Sequence, residues 1–289
     1  MLRGRKTGVA AVFTIAAVAA VTAGCGGGGS ALALDPVAAA ATKSQNAGAA
    51  HIRFSLTLSA PQLQSKMLRI RGTGAIDGTS GEMTVGLGSA LQQAGLPAGT
   101  SLKEIFLEEN GDFVTYLRAG FLSAQIPGGK HWAKLDLTKL GKSAGIDLSQ
   151  LMSGGQLQPT DLLSMLKAEG ATVRTIGPET VDGTATTHYH VTVDMAKALQ
   201  AKGLTSPTLT IIAAEMPTVP EDVWVGKDGL VHRIRLSLGM EQGGKPLRMA
   251  MSMDLYDYGA NVTIAAPPSS DVFDATRFAQ QGLGSSFNF

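Results

Sequence analysis

Strict alternation of apolar and polar side chains is the pattern that most constrains what this chain can fold into. From residue 51 onward, Ile52, Phe54, Leu56 and Leu58 alternate with polar residues. A period of two places the apolar side chains on one face of a strand and the polar side chains on the other. The segment therefore predicts a half-buried strand of an antiparallel sheet.

The same alternation recurs between short turn signals along most of the chain. The turns are marked by Asp77-Gly78, Asn110-Gly111, Asp182-Gly183 and Asp228-Gly229, which are dipeptides typical of tight connections between strands. The strands follow one another in meander order, without the regular exchange of strands and helices that builds a parallel sheet. We expect an α+β fold: a large curved antiparallel sheet, a half-barrel of about ten strands, with helices covering its concave apolar face.

Capping residues and apolar stripes predict helices over residues 37–47, 160–167 and 195–202. Residues 140–145 read as a polar loop and residues 262–265 as a short strand. Residues 205–217 are bracketed by prolines, and their pattern leaves helix and strand open.

The phase of the alternation predicts one apolar face shared by several strands. Met249, Met251 and Met253 lie side by side on that face, and flexible, polarizable methionine suits a wall that repacks around changing contents. We expect a ligand pocket between this face and the 160–167 helix. The residues expected to line it are Phe54, Leu56, Ile70, Leu162, Met165, Leu166, Ile234, Leu236, Met249, Met251 and Met253. Plain core packing of the same side chains is the alternative.

The first residues of the chain have the order of a secretory signal peptide. Arg3, Arg5 and Lys6 precede an uncharged stretch over residues 9–23, which is too short for a comfortable membrane span. Cys25, the single cysteine, follows Ala23-Gly24 and resembles the acylated cysteine of a bacterial lipobox. We expect a signal peptide over 1–24, a lipidated Cys25 with a flexible tether over 25–34, and one domain over 35–289. An ordinary signal peptide with an incidental Cys25 is the alternative.

Composition excludes several classes of protein. The chain has 24 Lys and Arg against 23 Asp and Glu, a net charge of +1, so it lacks the basic surface that a nucleic-acid partner requires. A single cysteine excludes an internal disulfide and a zinc cluster of thiolates. We expect no cofactor.

Three patterns could carry chemistry, and each has a simpler interpretation. Residues 141–145 match Gly-x-Ser-x-Gly, but they lack the buried strand that a nucleophile elbow needs before its serine. His188 and His190, with Asp194, could hold a metal, whereas their polar neighbours favour a solvated outer face on which both are mostly exposed. Glu108, Glu109 and Asp112 flank a tight turn, where carboxylates are normally solvated. The sequence therefore predicts no catalytic residue and no metal site.

Three segments of the chain carry a resemblance to a known family. They are Val181-Asp182-Gly183 with His188-Tyr189-x-Val191-x-Val193-Asp194, then Pro220-x-x-Val223-Trp224-Val225-x-x-Asp228-Gly229-Leu230-Val231, and then Tyr256-Asp257-Tyr258-Gly259 running to Ala266-Pro267-Pro268. Together they resemble the actinobacterial lipoproteins of the LppX/LprG type, whose fold is similar to that of the lipoprotein carrier LolA. The resemblance implies a LolA-like domain over 35–289 and a site for acyl chains between sheet and helices.

Two functions remain open from the sequence, with a hydrolase ranked last for want of a nucleophile and base. The first is a cell-envelope lipoprotein that binds or transfers a lipid or glycolipid, anchored through acylated Cys25 on the extracytoplasmic face of the cell membrane, with an envelope transport protein as a candidate partner. The second is a non-catalytic interaction or sensor module of the envelope with a solid packed core. A continuous apolar cavity would distinguish the first from the second.

Overall fold

The computed structural model describes residues 36–61, 67–87, 100–123, 126–143, 171–201, 207–242 and 245–286. Over these ranges the chain forms one sheet of twelve strands accompanied by a few helices. The strands are β1 (Ala50–Ser59), β2 (Met67–Asp77), β3 (Ser80–Gly86), β4 (Ser101–Glu109), β5 (Asp112–Ala119), β6 (Trp132–Asp136), β7 (Thr172–Val181), β8 (Thr184–Asp194), β9 (Thr218–Gly226), β10 (Val231–Gln242), β11 (Lys245–Tyr256) and β12 (Val272–Asp274). The helices are α1 (Pro36–Gln45), α2 (Gly120–Ser123), α3 (Leu137–Ser143), α4 (Met195–Ala201), α5 (Pro207–Glu215) and α6 (Thr276–Ser286), with 3-10 turns at Pro127–Gly129 and Ser269–Asp271.

The sheet is open and almost entirely antiparallel. Its strand order is β12-β6-β5-β4-β3-β2-β1-β11-β10-β9-β8-β7, and only the pairing of β12 with β6 is parallel. Strands β1 to β6 form one meander and β7 to β11 form a second, and the pairing of β1 with β11 joins the two. This architecture confirms the predicted α+β class with a large, unclosed antiparallel sheet.

The first helix packs on the second meander and closes one end of the core. Val37, Ala40 and Ala41 of α1 join the same buried cluster as Val225 and Val231. The helix is also fastened through its last turn, since the backbone N–H of Val231 donates to the hydroxyl of Ser44 over 2.9 Å. Small residues on α1 let the helix approach the sheet closely, and this contact buries the apolar side chains of β9 and β10 beneath it.

Glycine allows a close contact between β2 and β3 in the first meander. A Cβ atom built on Gly74 would lie 2.0 Å from the carbonyl oxygen of Glu82 and 2.9 Å from the Cα of Met83. No side chain fits at those distances, so the approach of the two backbones at this point requires glycine.

Some predicted elements differ from the structure. Residues 140–143, expected in a loop, lie in α3, because the carboxylate of Asp136 accepts from the N–H of Lys139 over 2.9 Å and caps the helix. Residues 262–265, expected as a strand, have no regular structure. The pattern also missed β12 and α6. For β12 the reason is its length, because a three-residue strand is too short to show alternation. Most of the open segment 205–217 is α5.

Part of the predicted organisation lies outside the described residues. The signal peptide over 1–24, the tether over 25–34 and the helix over 160–167 belong to this part. Within the described ranges, no helix combines the length and the apolar character that crossing a bilayer requires.

Candidate functional site

The register of the central strands brings the predicted apolar residues together. Phe54 on β1 lies opposite Met253 on β11, which lies opposite Ile234 on β10. The next row toward the carboxyl end of β1 contains Leu56, Met251 and Leu236, with Ile70 on β2 opposite Leu56. Residues paired in this way project from the same face of a sheet.

Met249 extends the same face by one more row, opposite Leu58 and Leu238. All the predicted pocket residues on strands therefore share one face. Leu162, Met165 and Leu166, the predicted contribution of the helix, lie outside the described residues. That these side chains line a ligand pocket stays a prediction.

Burial decreases along β1 and β11 on this apolar face, while Leu236 on β10 and Ile70 on β2 stay buried. On β1 the side chains pass from buried Ile52 and Phe54 to half-buried Leu56 and Leu58. On β11 they pass from Leu255, which is 1% exposed, to the three methionines, which are all half-buried. We call the end near Ile52 and Leu255, where α1 packs, the closed end, and the end near Leu58 and Met249 the open end. The face is thus packed as a core at the closed end, and toward the open end its side chains on β1 and β11 are only half-buried.

Two carboxyl groups are buried on this apolar face. Glu221 on β9 is 4% exposed and lies between Val191 on β8 and Leu236 on β10. Burial raises the pKa of Glu221 to about 8, so the group is mostly neutral at pH 7. Its Oε2 atom is buried and has no hydrogen-bond partner among the described residues.

Glu104 on β4 is the second buried carboxyl, on the first meander. It lies opposite Met83 and Leu117, and its Oε1 accepts a hydrogen bond of 3.0 Å from the hydroxyl of Thr115. Burial raises the pKa of Glu104, and the hydrogen bond from Thr115 partly opposes that rise. Its Oε2 atom, like that of Glu221, is buried without a partner in the described part of the chain.

Both glutamates occupy apolar phases of the alternation, and sequence reasoning missed them. Glu221 continues the series of Val223 and Val225 at a spacing of two, and Glu104 falls between Leu102 and Phe106. A charged residue type in the buried phase of a strand was the available signal, because such a side chain is buried only with a partner or in its neutral form.

The opposite face of the sheet carries the predicted histidines, but they are not mostly exposed. The side chains of His188 and His190 are 17% and 32% exposed, so the prediction that both are mostly exposed is wrong. The reason is Trp224, which lies opposite His188 and stacks on its ring with centroids 4.3 Å apart and planes 12° apart. The indole N–H of Trp224 in turn donates to Glu179 over 2.8 Å.

Asp222 joins the two histidines. Its Oδ1 lies 2.8 Å from Nδ1 of His190 and 3.0 Å from Nε2 of His188. Burial alone would raise the pKa of Asp222, but the two histidine hydrogen bonds outweigh it, and the pKa lies below its usual range. Asp194, the third member of the predicted alternative, instead caps α4 by accepting from the N–H of Lys197. No set of three or more His, Cys, Asp or Glu within the described ranges is arranged to hold a metal ion.

The acidic turn between β4 and β5 contains a further correction. Glu108 is exposed as expected, but Glu109 is half-buried. Its two oxygens accept hydrogen bonds from the hydroxyl of Tyr116 and, over 2.7 Å, from the ammonium of Lys134. These two partners explain the position of Glu109 without an acid–base role.

A depression of about 450 Å³ lies on the polar face. It is lined by Arg53, Arg71, Thr73, Thr84 and Asp254 among others. Cations and hydroxyls in an open depression do not fit an acyl chain, so we do not assign the expected pocket to it.

No protein-family model matches the chain. An uncharacterised 31.2 kDa protein of Streptomyces griseus, encoded in the rplA–rplJ intergenic region, is 29% identical over 264 residues, which cover 86% of this chain and 81% of that protein. A Streptomyces coelicolor protein, SCO4650, described as a candidate lipoprotein, is 26% identical over 221 residues, which cover 73% of this chain and 66% of that protein.

Solved structures similar to this one are more distant in sequence. The lipoprotein LppX of Mycobacterium tuberculosis has a TM-score of 0.41 and 13% identity, covering 80% of this chain and 100% of its own. LprF of Mycobacterium bovis has a TM-score of 0.35 and 13% identity, covering 81% and 96%. The LolA-superfamily protein NE2245 of Nitrosomonas europaea has a TM-score of 0.28 and 9% identity, covering 79% and 95%. At these TM-scores the likenesses carry no weight for function. The three structures named above are two lipoproteins, LppX and LprF, and a LolA-superfamily protein, which are the kinds that the sequence motifs resemble.

Proposed function

We propose that this protein is a lipoprotein of the cell envelope, anchored through acylated Cys25, that binds a lipid or an acylated molecule on the apolar face of its sheet. One observation carries the proposal: along β1 and β11 the apolar face passes from buried side chains at the closed end to half-buried side chains at the open end. A core serving stability alone gains most when its long side chains are fully buried. Half-buried leucines and methionines side by side suit a surface that an acyl chain completes.

The energetics of acyl transfer agree with a binding role that involves no covalent chemistry. Moving a 16-carbon chain out of water is favourable by about 12 kcal/mol at about 0.8 kcal/mol per methylene. Moving the same chain out of a bilayer is nearly neutral, because both sites are apolar. A protein held at a membrane by two acyl chains on Cys25 could therefore load such a ligand and release it again. Such loading and release would also let the protein transfer the ligand between membranes.

The first test is whether the protein carries lipid. Full-length protein is purified and extracted with organic solvent, and the extract is analysed by lipid mass spectrometry after the Cys25-linked acyl chains have been accounted for. We expect non-covalent lipid near stoichiometric amounts. Recovery of none would favour the alternative, an envelope interaction module with a solid core.

Two substitutions on the same strand separate these outcomes further. Met251→Trp places a bulky apolar side chain on the apolar face, and Ala250→Trp places the same side chain on the exposed polar face as a control. We expect Met251→Trp to lower lipid occupancy with little change in melting temperature, and Ala250→Trp to leave occupancy unchanged. If the interior is instead full, Met251→Trp overpacks it and costs about 1–3 kcal/mol of stability.

A further inference from the structure

Glu221 is 4% exposed and lies in the packed core, between Val191 and Leu236, which are 0% and 6% exposed. It lies opposite Leu236, and Leu236 belongs to the same row as Met251 and Leu56. Within that row Met251 and Leu56 are half-buried, whereas Leu236 is buried. A carboxyl group at this position is within the same cross-strand row as the proposed binding surface.

The described surroundings of Glu221 supply no partner for the Oε2 atom of its carboxyl group. Its neighbours across the sheet are Val191 and Leu236, and its neighbours in phase along β9 are Val219 and Val223. All four are apolar, and its Oε2 is buried without a hydrogen bond in the described part of the chain. Leaving a buried polar group unpaired destabilises the protein, so a ligand oxygen that accepted its proton would recover that loss.

We propose that Glu221 is the polar recognition group of the lipid site and selects acyl chains that carry a hydroxyl within their apolar part. This inference rests on the proposed function. The neutral carboxyl group donates its O–H to the ligand hydroxyl, while the half-buried Val219 and Met251 contact the methylenes on either side. Burial keeps the proton on Glu221 at neutral pH, and a protonated carboxyl has one O–H to donate.

Glu104 provides an internal contrast. It is also a buried glutamate on the apolar face, but its carboxyl group already accepts a hydrogen bond from the hydroxyl of Thr115. Its row contains Met83 and, through Gly74, Ile52 of the closed end. Because one oxygen of Glu104 is already paired and its row runs to the closed end, we assign no ligand contact to it.

The experiment uses two lipids that differ by one hydroxyl, methyl 12-hydroxystearate and methyl stearate, offered together in equal amounts to the full-length protein. After gel filtration, mass spectrometry measures the ratio of the two bound esters. A ratio measured in one tube does not depend on how much of a variant is folded. We expect the ratio of hydroxylated to plain ester to fall about tenfold in Glu221→Leu relative to the unaltered protein, which is the effect of losing one buried hydrogen bond.

Conservative and control variants complete the design. Glu221→Gln keeps an N–H donor at the same place, so we expect it to retain most of the preference, and Glu104→Gln should leave the preference unchanged. Equal ratios for the unaltered protein and Glu221→Leu would overturn the inference while leaving lipid binding intact. Binding of neither ester by the unaltered protein would instead contradict the proposed function itself.

Discussion

Arg233 and Asp254 face each other across β10 and β11, and two hydrogen bonds join them. Nε and Nη2 of Arg233 donate to the two carboxylate oxygens of Asp254, the latter over 2.9 Å. The Asp254 side chain is only 12% exposed, and it also accepts from Arg53 on its other side. This carboxylate thus holds cations from both neighbouring strands at the centre of the polar face.

We predict that Asp254→Asn destabilises the protein by about 1–3 kcal/mol, because it weakens a nearly buried charge pair and leaves Arg233 without its anionic partner. Asp182→Asn is the matched control. Asp182 also pairs with Arg53, but both of those side chains are about half exposed, so we expect a cost below about 1 kcal/mol. Urea denaturation midpoints measure both values, and equal losses would contradict the distinction.

Glu221 should make the stability of the protein depend on pH. Its pKa is about 8 in the folded protein against a usual value of 4.5. Below about pH 4.5 both states hold the proton; between about 4.5 and 8 the unfolded state loses it while the folded state keeps it. Over that range the free energy of unfolding should fall with rising pH by up to about 1.4 kcal/mol per pH unit. Above about pH 8 this group causes no further loss.

Glu221→Gln isolates that effect. The variant keeps Glu104 and also Tyr189, which lies on the same face of β8, so a difference in slope between the two proteins belongs to residue 221. Denaturation series from pH 5 to pH 9 should show a shallower decline for the variant. Parallel curves would mean that the carboxyl group ionises as freely in the folded chain as in the unfolded one.

Gly74→Ala should cost about 1–3 kcal/mol, because the new methyl group would meet the backbone of β3 and force the two strands apart. Gly239→Ala on β10 is the control, since a Cβ there has no neighbour within 4 Å; its effect should stay within about 0.5 kcal/mol. Thermal unfolding followed by circular dichroism tests both. A neutral Gly74→Ala would show that β2 and β3 separate without cost.

Cys25→Ala should prevent acylation and leave the precursor unprocessed by the lipoprotein peptidase. The expectation follows from the position of the single cysteine after Ala23-Gly24. Intact-mass measurement and membrane fractionation of cells test it. A variant that loses its signal peptide and still fractionates with membranes would show that Cys25 is not the anchor.

The face assignment of the central strands was predictable because it depends on local phase. Met251 and Leu56 share a face since each lies in an apolar phase of its own strand, and hairpin turns set the register between sequential neighbours. The pairing of β1 with β11 was not predictable in the same way, because no local pattern indicates which distant strand pairs with the free edge of β1.

The candidate site was predicted only in its apolar part. Glu221 was readable as a misplaced charge in an apolar phase, but its burial depends on packing from the neighbouring strands, which a single strand does not reveal. The histidine error has the same origin. His188 has polar neighbours in its own strand, and the side chain that covers it, Trp224, comes from β9.

The pairing of β1 with β11 also determines when the sheet can form. Arg53 and Asp254, which meet across this pair, are 201 residues apart in the chain, whereas the pairings within the meander of β1 to β6 join strands that are consecutive in the chain. Contacts between such distant residues form slowly, because a long loop must close first. Until β11 is available, β1 is an edge strand with unpaired backbone groups and an uncovered apolar face, and such edges recruit other chains. Chains that end before residue 245, where β11 begins, should therefore aggregate rather than fold into a smaller sheet.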